Sequence, residues 1–224
     1  MQQSNQLEYD NYYHIYNHGV GNRDLFLEAD NYEYFLSQWD KYISPVADMY
    51  AWVLMKNHFH VLVRIKKESE IVAAFTPDRV STPVRGNVLS LQFSKLFNSY
   101  AQAFNKRNNS HGALFERPFN RKHIDNDYYL RQVILYIHNN PVHHGFCSHP
   151  VEYPWCSYLT CVSIKPTKLH REAVIGWFDS EANFRSMHKG DIDKDSIEGW
   201  LEMYKYKVDL LYFNLDRVPK PCQG

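Results

Sequence analysis

Two histidines separated by a single residue, His58 and His60, begin an apolar stretch of the chain. Alternate side chains of a β-strand point to the same face, so these imidazoles would lie about 6.6 Å apart on one side of a strand. Phe59, Val61 and Val63 would take the other side, which has the character of a core. Two imidazoles on one face of a rigid strand can chelate a divalent metal ion, although ordinary half-buried histidines also show this spacing. The pattern therefore predicts a candidate metal site.

A row of polar side chains precedes Pro141 at intervals of four residues, namely Tyr128, Gln132, Tyr136 and Asn140. Such spacing places them along one face of a helix. Asn140 would offer a neutral oxygen to the ion held by the histidines, and Tyr136 would reach the substrate of that ion. A free phenol has a pKa of about 10, so a tyrosine nucleophile needs help from a cation or a base. An amphipathic helix with tyrosine hydroxyls at its rim would show the same spacing.

Aromatic and basic side chains alternate in the middle of the chain. A strand predicted from Leu114 to Ile124 would carry on one face Phe115, Arg117, Phe119, Arg121 and His123, with Lys122 beside them. Rings that stack on bases and cations that meet phosphates are typical of proteins that bind single-stranded nucleic acid. A buried aromatic side with arginines reaching out to solvent is the alternative interpretation.

The charge distribution supports a polyanion-binding face. The chain has 25 basic and 25 acidic residues, but residues 85–123 carry seven basic side chains against Glu116 alone. Residues 1–50 and 172–216 are both acidic on balance. A basic region inside a neutral chain indicates one anion-binding surface, whereas a solvated lysine-rich surface would give the same charge count.

Composition narrows the class of protein. Apolar residues make up 44% of the 224 residues and aromatic residues 16%, which excludes a disordered chain. No apolar run approaches the ~18 residues of a membrane span, and the N-terminus lacks the apolar stretch of a signal peptide. Four cysteines are too few for a disulfide scaffold, so we expect a cytoplasmic protein. Cys147, Cys156 and Cys161 with His149 could suggest zinc, but their spacings do not match a C-x₂-C pair.

Hydrophobic periodicity predicts the order β-α-β-β-α-β-α. The predicted strands are Tyr12–Tyr16, Met49–Met55, Phe59–Ile65 and Leu114–Ile124, and the predicted helices are Asp30–Ile43, Leu89–Lys106 and Asp127–Asn140. Pro141 would end the last helix, and residues 66–87 are predicted as a loop. This order indicates an α+β fold, a ferredoxin-like antiparallel sheet with helices on one face and an added helix that bears Tyr136.

The chain divides into two predicted parts. Residues 10–160 would form the functional domain, and Pro154–Pro166 would be a linker. Residues 165–224 would form a mostly helical, acidic C-terminal extension of regulatory or specificity character. Its helix signals are Ser180 before Glu181 and Ser196 before Ile197.

Four segments in this order resemble the HUH single-tyrosine transposases, most of all their REP-associated branch. The segments are Tyr13-His14-Ile15-Tyr16-Asn17, Val53 to Val63, Gly112 to Arg117, and Leu135 to Val142, with Gly145 and Tyr153 to Tyr158 following. The resemblance covers about residues 10–160. It departs at His143-His144, where many members carry a basic pair of arginine type.

The resemblance implies a metal ion, Mg²⁺ or Mn²⁺, held by His58, His60 and Asn140, with Tyr136 as the nucleophile. It implies an enzyme that cuts single-stranded DNA near hairpins through a 5′-phosphotyrosine and rejoins it, as a monomer or a homodimer. Tyr128, followed by Gln132, is a competing nucleophile that lacks the surrounding Ile-x-x-Asn-Pro context. The alternative function is a domesticated hairpin-binding protein without strand transfer. A replication initiator or relaxase is a third interpretation, for which the chain leaves little room.

Overall fold

The computed structural model describes residues 6–75 and 88–189. Four antiparallel strands form one sheet in the order β2-β3-β1-β4. The strands are β1 (Tyr12–His18), β2 (Ala47–Met55), β3 (His58–Ile65) and β4 (Asn120–Ile124). Lys56 and Asn57 make the tight turn between β2 and β3. With β1 and β3 at its centre, the sheet confirms the predicted ferredoxin-like α+β fold.

Seven α-helices accompany the strands in the described part of the chain. They are α1 (Ala29–Tyr42), α2 (Glu68–Phe75), α3 (Val88–Arg107), α4 (Asp127–His143), α5 (Tyr158–Val162), α6 (Arg171–Trp177) and α7 (Glu181–Lys189). Helices α1 and α3 pack against each other over one face of the sheet, while α4 packs on β2 and β3. No helix among the described residues is long and apolar enough to cross a membrane.

Strand β3 divides its side chains between the two faces as its alternation predicts. Phe59, Val61 and Val63 are almost fully buried in the core beneath α1 and α3. His58 and His60 point to the opposite face, beneath α4. Successive side chains of a strand alternate between its two faces. Because Phe59, Val61 and Val63 fill the core, His58 and His60 must point to the other face.

Most element bounds lie one or two residues from the predicted ones, with β1 ending at His18 instead of Tyr16, and three differences are larger. The strand predicted from Leu114 covers only Asn120–Ile124, because Pro118 has no N–H to donate to a sheet ladder. Helix α4 does not end at Asn140 but continues through Pro141 to His143, and the peptide N–H of His144 donates to the Asn140 carbonyl at 3.0 Å. The predicted loop 66–87 begins with α2, and residues 76–87 lie outside the described residues.

The predicted linker after Pro154 is part of the packed structure. The backbone of Cys156 forms an isolated antiparallel β-bridge with that of Val53 in strand β2. The Ser157 peptide N–H donates to the Trp52 carbonyl at 2.9 Å. Cys156, Ser157 and Tyr158 are buried. These contacts attach the segment to the outer edge of β2, so the prediction of a linker is wrong.

The two following helices also contact the sheet unit. Helix α6 packs against β2 and helix α7 against α4, burying Val174, Phe178 and Phe184. The division of the chain near residue 160 stays a prediction. The helix signal at Ser196 lies outside the described residues.

Candidate active site

The pairing of the two central strands gathers histidines beneath α4. In the register of β1 with β3, Tyr16 lies opposite His60 and His18 opposite His58. His14 lies two residues before Tyr16 and therefore on the same face. The imidazole rings therefore form a cluster at the centre of the sheet, and α4, which carries Tyr136 and Asn140, covers this cluster.

His58 joins β3 to α4. Its Nε2 lies 3.1 Å from Asn140 Oδ1, and its Nδ1 lies 2.8 Å from Asn57 Oδ1. Burial lowers the pKa of His58 well below its usual value, and the neighbouring His18 and His144 lower it further. The ring is therefore neutral at pH 7 and has one N–H to donate.

His60 has a comparable partner on its other nitrogen. Its Nδ1 lies 3.0 Å from His14 Nε2, and the ring of Tyr136 stands edge-on to the His60 ring, with centroids 5.2 Å apart. Burial holds the pKa of His60 well below its usual value, and that of His14 at about 3. Both rings are neutral near pH 7, so one donates a hydrogen bond to the other.

These contacts define which nitrogens could bind a metal ion. If His58 donates from Nδ1 to Asn57 and His60 from Nδ1 to His14, both Nε2 atoms keep their lone pairs. Metal-binding histidines commonly donate their second N–H to an acceptor in this way. Two Nε2 atoms and the Asn140 carbonyl oxygen are a mixed nitrogen and oxygen set that suits a divalent ion. The residues present therefore fit the metal that the resemblance implies.

No group of three His, Cys, Asp or Glu side chains in residues 6–75 and 88–189 is placed to hold a metal ion. The zinc site considered at Cys147, Cys156 and Cys161 is thus not formed in this part of the chain. A metal ion bound by His58 and His60 would need the amide of Asn140 as its third protein ligand.

Tyr136 is the tyrosine of α4 that contacts the histidines. Its ring centroid lies 5.2 Å from that of His60 and 6.0 Å from that of His14, and the residue is 8% exposed. Tyr128, two helical turns earlier, is 62% exposed. The two tyrosines lie on one row of α4, but Tyr128 is in the first turn of the helix, whereas Tyr136 and Asn140 are neighbours one turn apart over β3.

Three histidines of the site were not predicted from the sequence as site residues. They are His14, His18 and His144; the rings of His18 and His144 lie 5.0 and 5.2 Å from that of His58. The sequence contains a signal for the first two, since His14, Tyr16 and His18 alternate as His58 and His60 do. His144 reaches the site only because α4 continues past Pro141.

The residues predicted to bind DNA do not share one strand face. Phe115 is 4% exposed and packs on Phe59 and Phe97 in the core, so its ring has no face for a base. Phe119 is half-buried, stacked on Phe93, and the guanidinium of Arg121 lies 4.4 Å from its ring centroid. The prediction that Phe115 stacks on bases is therefore wrong. The ring of Phe119 packs against the guanidinium group of Arg121.

The cations flank the edge strand β4 on both sides. Arg117 and Arg121 line a groove of about 660 Å³ between α3 and residues 112–121. Arg117 donates to Asn98 at 3.0 Å, while Arg121 Nε is buried without a hydrogen-bond partner among the described residues. Lys122 points to the other face, where its Nζ lies 4.6 Å from the Tyr129 ring centroid. Adjacent residues of a strand point to opposite faces of the sheet. The positive charges of Arg117 and Arg121 therefore lie in the groove, and that of Lys122 lies on the face of the sheet that carries His58 and His60.

Comparisons with known proteins give a likeness of fold. No protein-family model matches the chain, and no curated protein matches it. Among solved structures, the structure of a REP-associated tyrosine transposase bound to a REP hairpin is similar, with a TM-score of 0.54 and 14% sequence identity. The match covers 74% of this chain and 89% of the other. The chain thus shares the fold of a tyrosine transposase.

Proposed function

We propose that this protein is a tyrosine transposase-like enzyme that cuts and rejoins single-stranded DNA next to a hairpin. The observation that carries the proposal is the convergence of Tyr136 and Asn140, from one helix, on His58 and His60, from the central strand. The fold shared with a hairpin-bound tyrosine transposase supports the same class of activity.

In this proposal Tyr136 supplies the nucleophile. Its phenolic oxygen attacks the scissile phosphorus, an Oη–P bond forms, and the P–O3′ bond breaks. The phenol gives up one proton and the departing 3′-oxygen takes one up, so the step balances. The product is a 5′-phosphotyrosine and a free 3′-hydroxyl. Since the phosphodiester energy is retained, a 3′-hydroxyl of another strand can reverse the step and join new DNA.

His58, His60 and Asn140 would hold the divalent ion, Mg²⁺ or Mn²⁺. Such an ion would supply polarisation of a non-bridging phosphate oxygen and would hold the phosphate for in-line attack. Asn57 and His14 would fix the two imidazole rings through their Nδ1 atoms. Because imidazole is a better ligand for Mn²⁺ than for Mg²⁺, we expect Mn²⁺ to bind more tightly.

DNA would bind along the edge strand β4. Arg117 and Arg121 would contact phosphates from the groove side, and Lys122 from the side of the histidines. Arg121 supports this assignment, because its half-buried guanidinium lies on the Phe119 ring and makes no ion pair with a described residue. A half-buried cation without a carboxylate partner is suited to a phosphate ligand.

The test is a covalent adduct. Labelled single-stranded hairpins would be incubated with the protein and Mn²⁺, then separated under denaturing conditions. We expect an adduct with the wild-type protein, none with Tyr136→Phe, and an unchanged yield with the matched control Tyr128→Phe. Adduct formation by Tyr136→Phe would overturn the assignment of the nucleophile. Hairpin binding by the wild-type protein without any adduct would instead support a binding protein without strand transfer.

A further inference from the structure

A chain of buried hydrogen bonds connects α7 to the helix that carries Tyr136. His188 Nδ1 lies 2.7 Å from the Phe184 carbonyl oxygen, and His188 Nε2 lies 2.9 Å from His138 Nδ1. His138 Nε2 lies 2.8 Å from Ser157 Oγ, which accepts from the Trp52 peptide N–H at 2.8 Å. His138 and Ser157 are fully buried and His188 is 3% exposed. The chain thus runs from strand β2 to α7 through α4.

The two ends of this chain fix the position of every proton in it. A carbonyl oxygen can only accept, so His188 carries its proton on Nδ1 and presents Nε2 as an acceptor. His138 must then donate from Nδ1 and accept at Nε2 from the Ser157 hydroxyl. At the other end the Trp52 peptide N–H can only donate, which agrees with this direction. All members are satisfied, as buried polar groups need to be.

His138 lies between Tyr136 and Asn140 in the sequence of α4. At 3.6 residues per turn, its side chain projects about 200° around the helix from Tyr136. Tyr136 and Asn140 therefore face the histidines of β1 and β3, while His138 faces Ser157 and α7. Helix α4 is held on two sides, by the contact of Asn140 with His58 on one and by hydrogen bonds of His138 with Ser157 and His188 on the other.

We propose that His188 is a positioning residue of the active site, which holds α4 through His138 so that Tyr136 meets His60 and Asn140 meets His58. The proposal rests on the proposed function, since it assigns Tyr136 as the nucleophile. The hydrogen-bond partners of His188 are His138 and the Phe184 carbonyl, on the side of α4 away from Tyr136 and Asn140. It follows that the catalytic unit includes α7, although the sequence suggests an extension of regulatory character after residue 165.

Apolar packing around His188 allows its hydrogen bond to be tested separately from its bulk. The ring of His188 lies 4.2 Å from the Phe184 ring and 4.9 Å from the Tyr158 ring. His188→Phe keeps an aromatic ring in this cluster but leaves the buried His138 Nδ1–H without its acceptor. A buried donor without an acceptor is costly, so we expect His138 and α4 to shift until the N–H finds another partner.

Three variants separate positioning from stability. His188→Phe removes the acceptor, His188→Gln offers an amide oxygen where Nε2 was, and Val174→Ala loosens the packing of α6 without touching the hydrogen-bond chain. We expect His188→Phe to slow single-turnover adduct formation at saturating hairpin by about tenfold or more, since a misplacement of about 1 Å can cost ~10²-fold. The dissociation constant for the hairpin should stay unchanged. His188→Gln should recover most of the rate, and Val174→Ala should lower the melting temperature with a rate near that of the wild type.

Nitrogen-detected NMR of the wild-type protein tests the hydrogen-bond chain directly. We expect His138 and His188 both to be neutral and protonated on Nδ1. Protonation of His138 on Nε2, or an adduct rate of His188→Phe equal to that of the wild type, would overturn the proposal. If the wild-type protein forms no adduct, the proposed function fails. The positioning of Asn140 is then decided by Mn²⁺ affinity, which His188→Phe should weaken and Val174→Ala should not.

Discussion

The Nε2 atom of His58 and the Oδ1 atom of Asn140 face each other at 3.1 Å, across the interface between the central strand β3 and helix α4. The other nitrogen of the same ring faces Asn57 Oδ1 at 2.8 Å. A neutral imidazole has one N–H, so it cannot donate to both oxygens. One possibility is that the side-chain amide of Asn57 or Asn140 is rotated so that its NH₂ group donates to the His58 ring. The other is that a cation binds between His58 Nε2 and Asn140 Oδ1 and is coordinated by both atoms.

Metal titrations distinguish these two cases. His58→Ala and His60→Ala should each abolish measurable Mn²⁺ binding, because each removes an imidazole ligand. Asn140→Ala should weaken binding less, because a water molecule can replace one oxygen ligand. Isothermal titration calorimetry gives the affinities, with the exposed His111→Ala as the control that should bind as the wild type does. Unchanged Mn²⁺ affinity in the double variant His58→Ala/His60→Ala would contradict the metal site.

The outer partner of His60 should matter nearly as much as a ligand. His14→Phe removes the acceptor of the His60 Nδ1–H, so the His60 ring loses both its orientation and its correct tautomer. We expect the affinity for Mn²⁺ to fall by about 10- to 100-fold. His14→Gln retains an acceptor at that position and should restore part of the affinity. Equal affinities of the wild-type protein and His14→Phe would show that His14 has only a packing role.

The strand that bears the site could be predicted from the sequence because its signal is local. The alternation of Phe59, Val61 and Val63 with His58 and His60 requires only the period of a strand and one apolar face. The same rule applied to β1 predicts that His14 and His18 share a face. The turn-rich residues after Tyr16 indicate an earlier end of the strand, which leaves His18 outside the predicted strand.

Other parts of the site depend on contacts between distant segments. Phe115 is recognisable as a core residue only once it packs on α1 and α3, because its own segment alternates as an exposed strand would. The hydrogen bonds of His138 join residues 138, 157 and 188, which share no periodic pattern. His144 depends on a helix that continues past Pro141 for one more turn, whereas proline is more often a helix terminator.

Binding of hairpin DNA should depend steeply on salt. About four phosphate contacts from Arg117, Arg121, Lys122 and their neighbours would give a log–log slope near −3, at ~0.7 per contact on single strands. Arg121→Ala should reduce the slope by about 0.7, and the control Lys168→Ala, which removes a lysine paired with Asp40, should leave it unchanged. Fluorescence anisotropy from low to moderate salt measures both. Equal affinity for duplex and hairpin at every salt concentration would count against this surface.

The stability of the fold should decrease as the pH falls from about 6.5 to about 4. Burial lowers the pKa of His188 to about 4, whereas a histidine of the unfolded chain titrates near 6.5. Between these pH values the unfolded chain binds a proton that the folded chain does not, so the free energy of unfolding decreases as the pH decreases. His18, whose pKa burial also lowers to about 4, adds to the effect, so several histidines contribute to the slope.

His188→Phe isolates the contribution of His188 to this pH dependence. The variant has no imidazole to protonate at this position, so its free energy of unfolding should fall less between pH 6.5 and pH 4 than that of the wild type. For a single group with this pKa shift the difference is about 3 kcal/mol at most. Urea unfolding at several pH values, without divalent metal, measures the slope for both proteins. The stability at pH 7 alone is not the criterion, because the substitution also changes packing. An equal or steeper pH dependence in His188→Phe would mean that His188 is already protonated in the folded protein, which is incompatible with its role as the acceptor of His138.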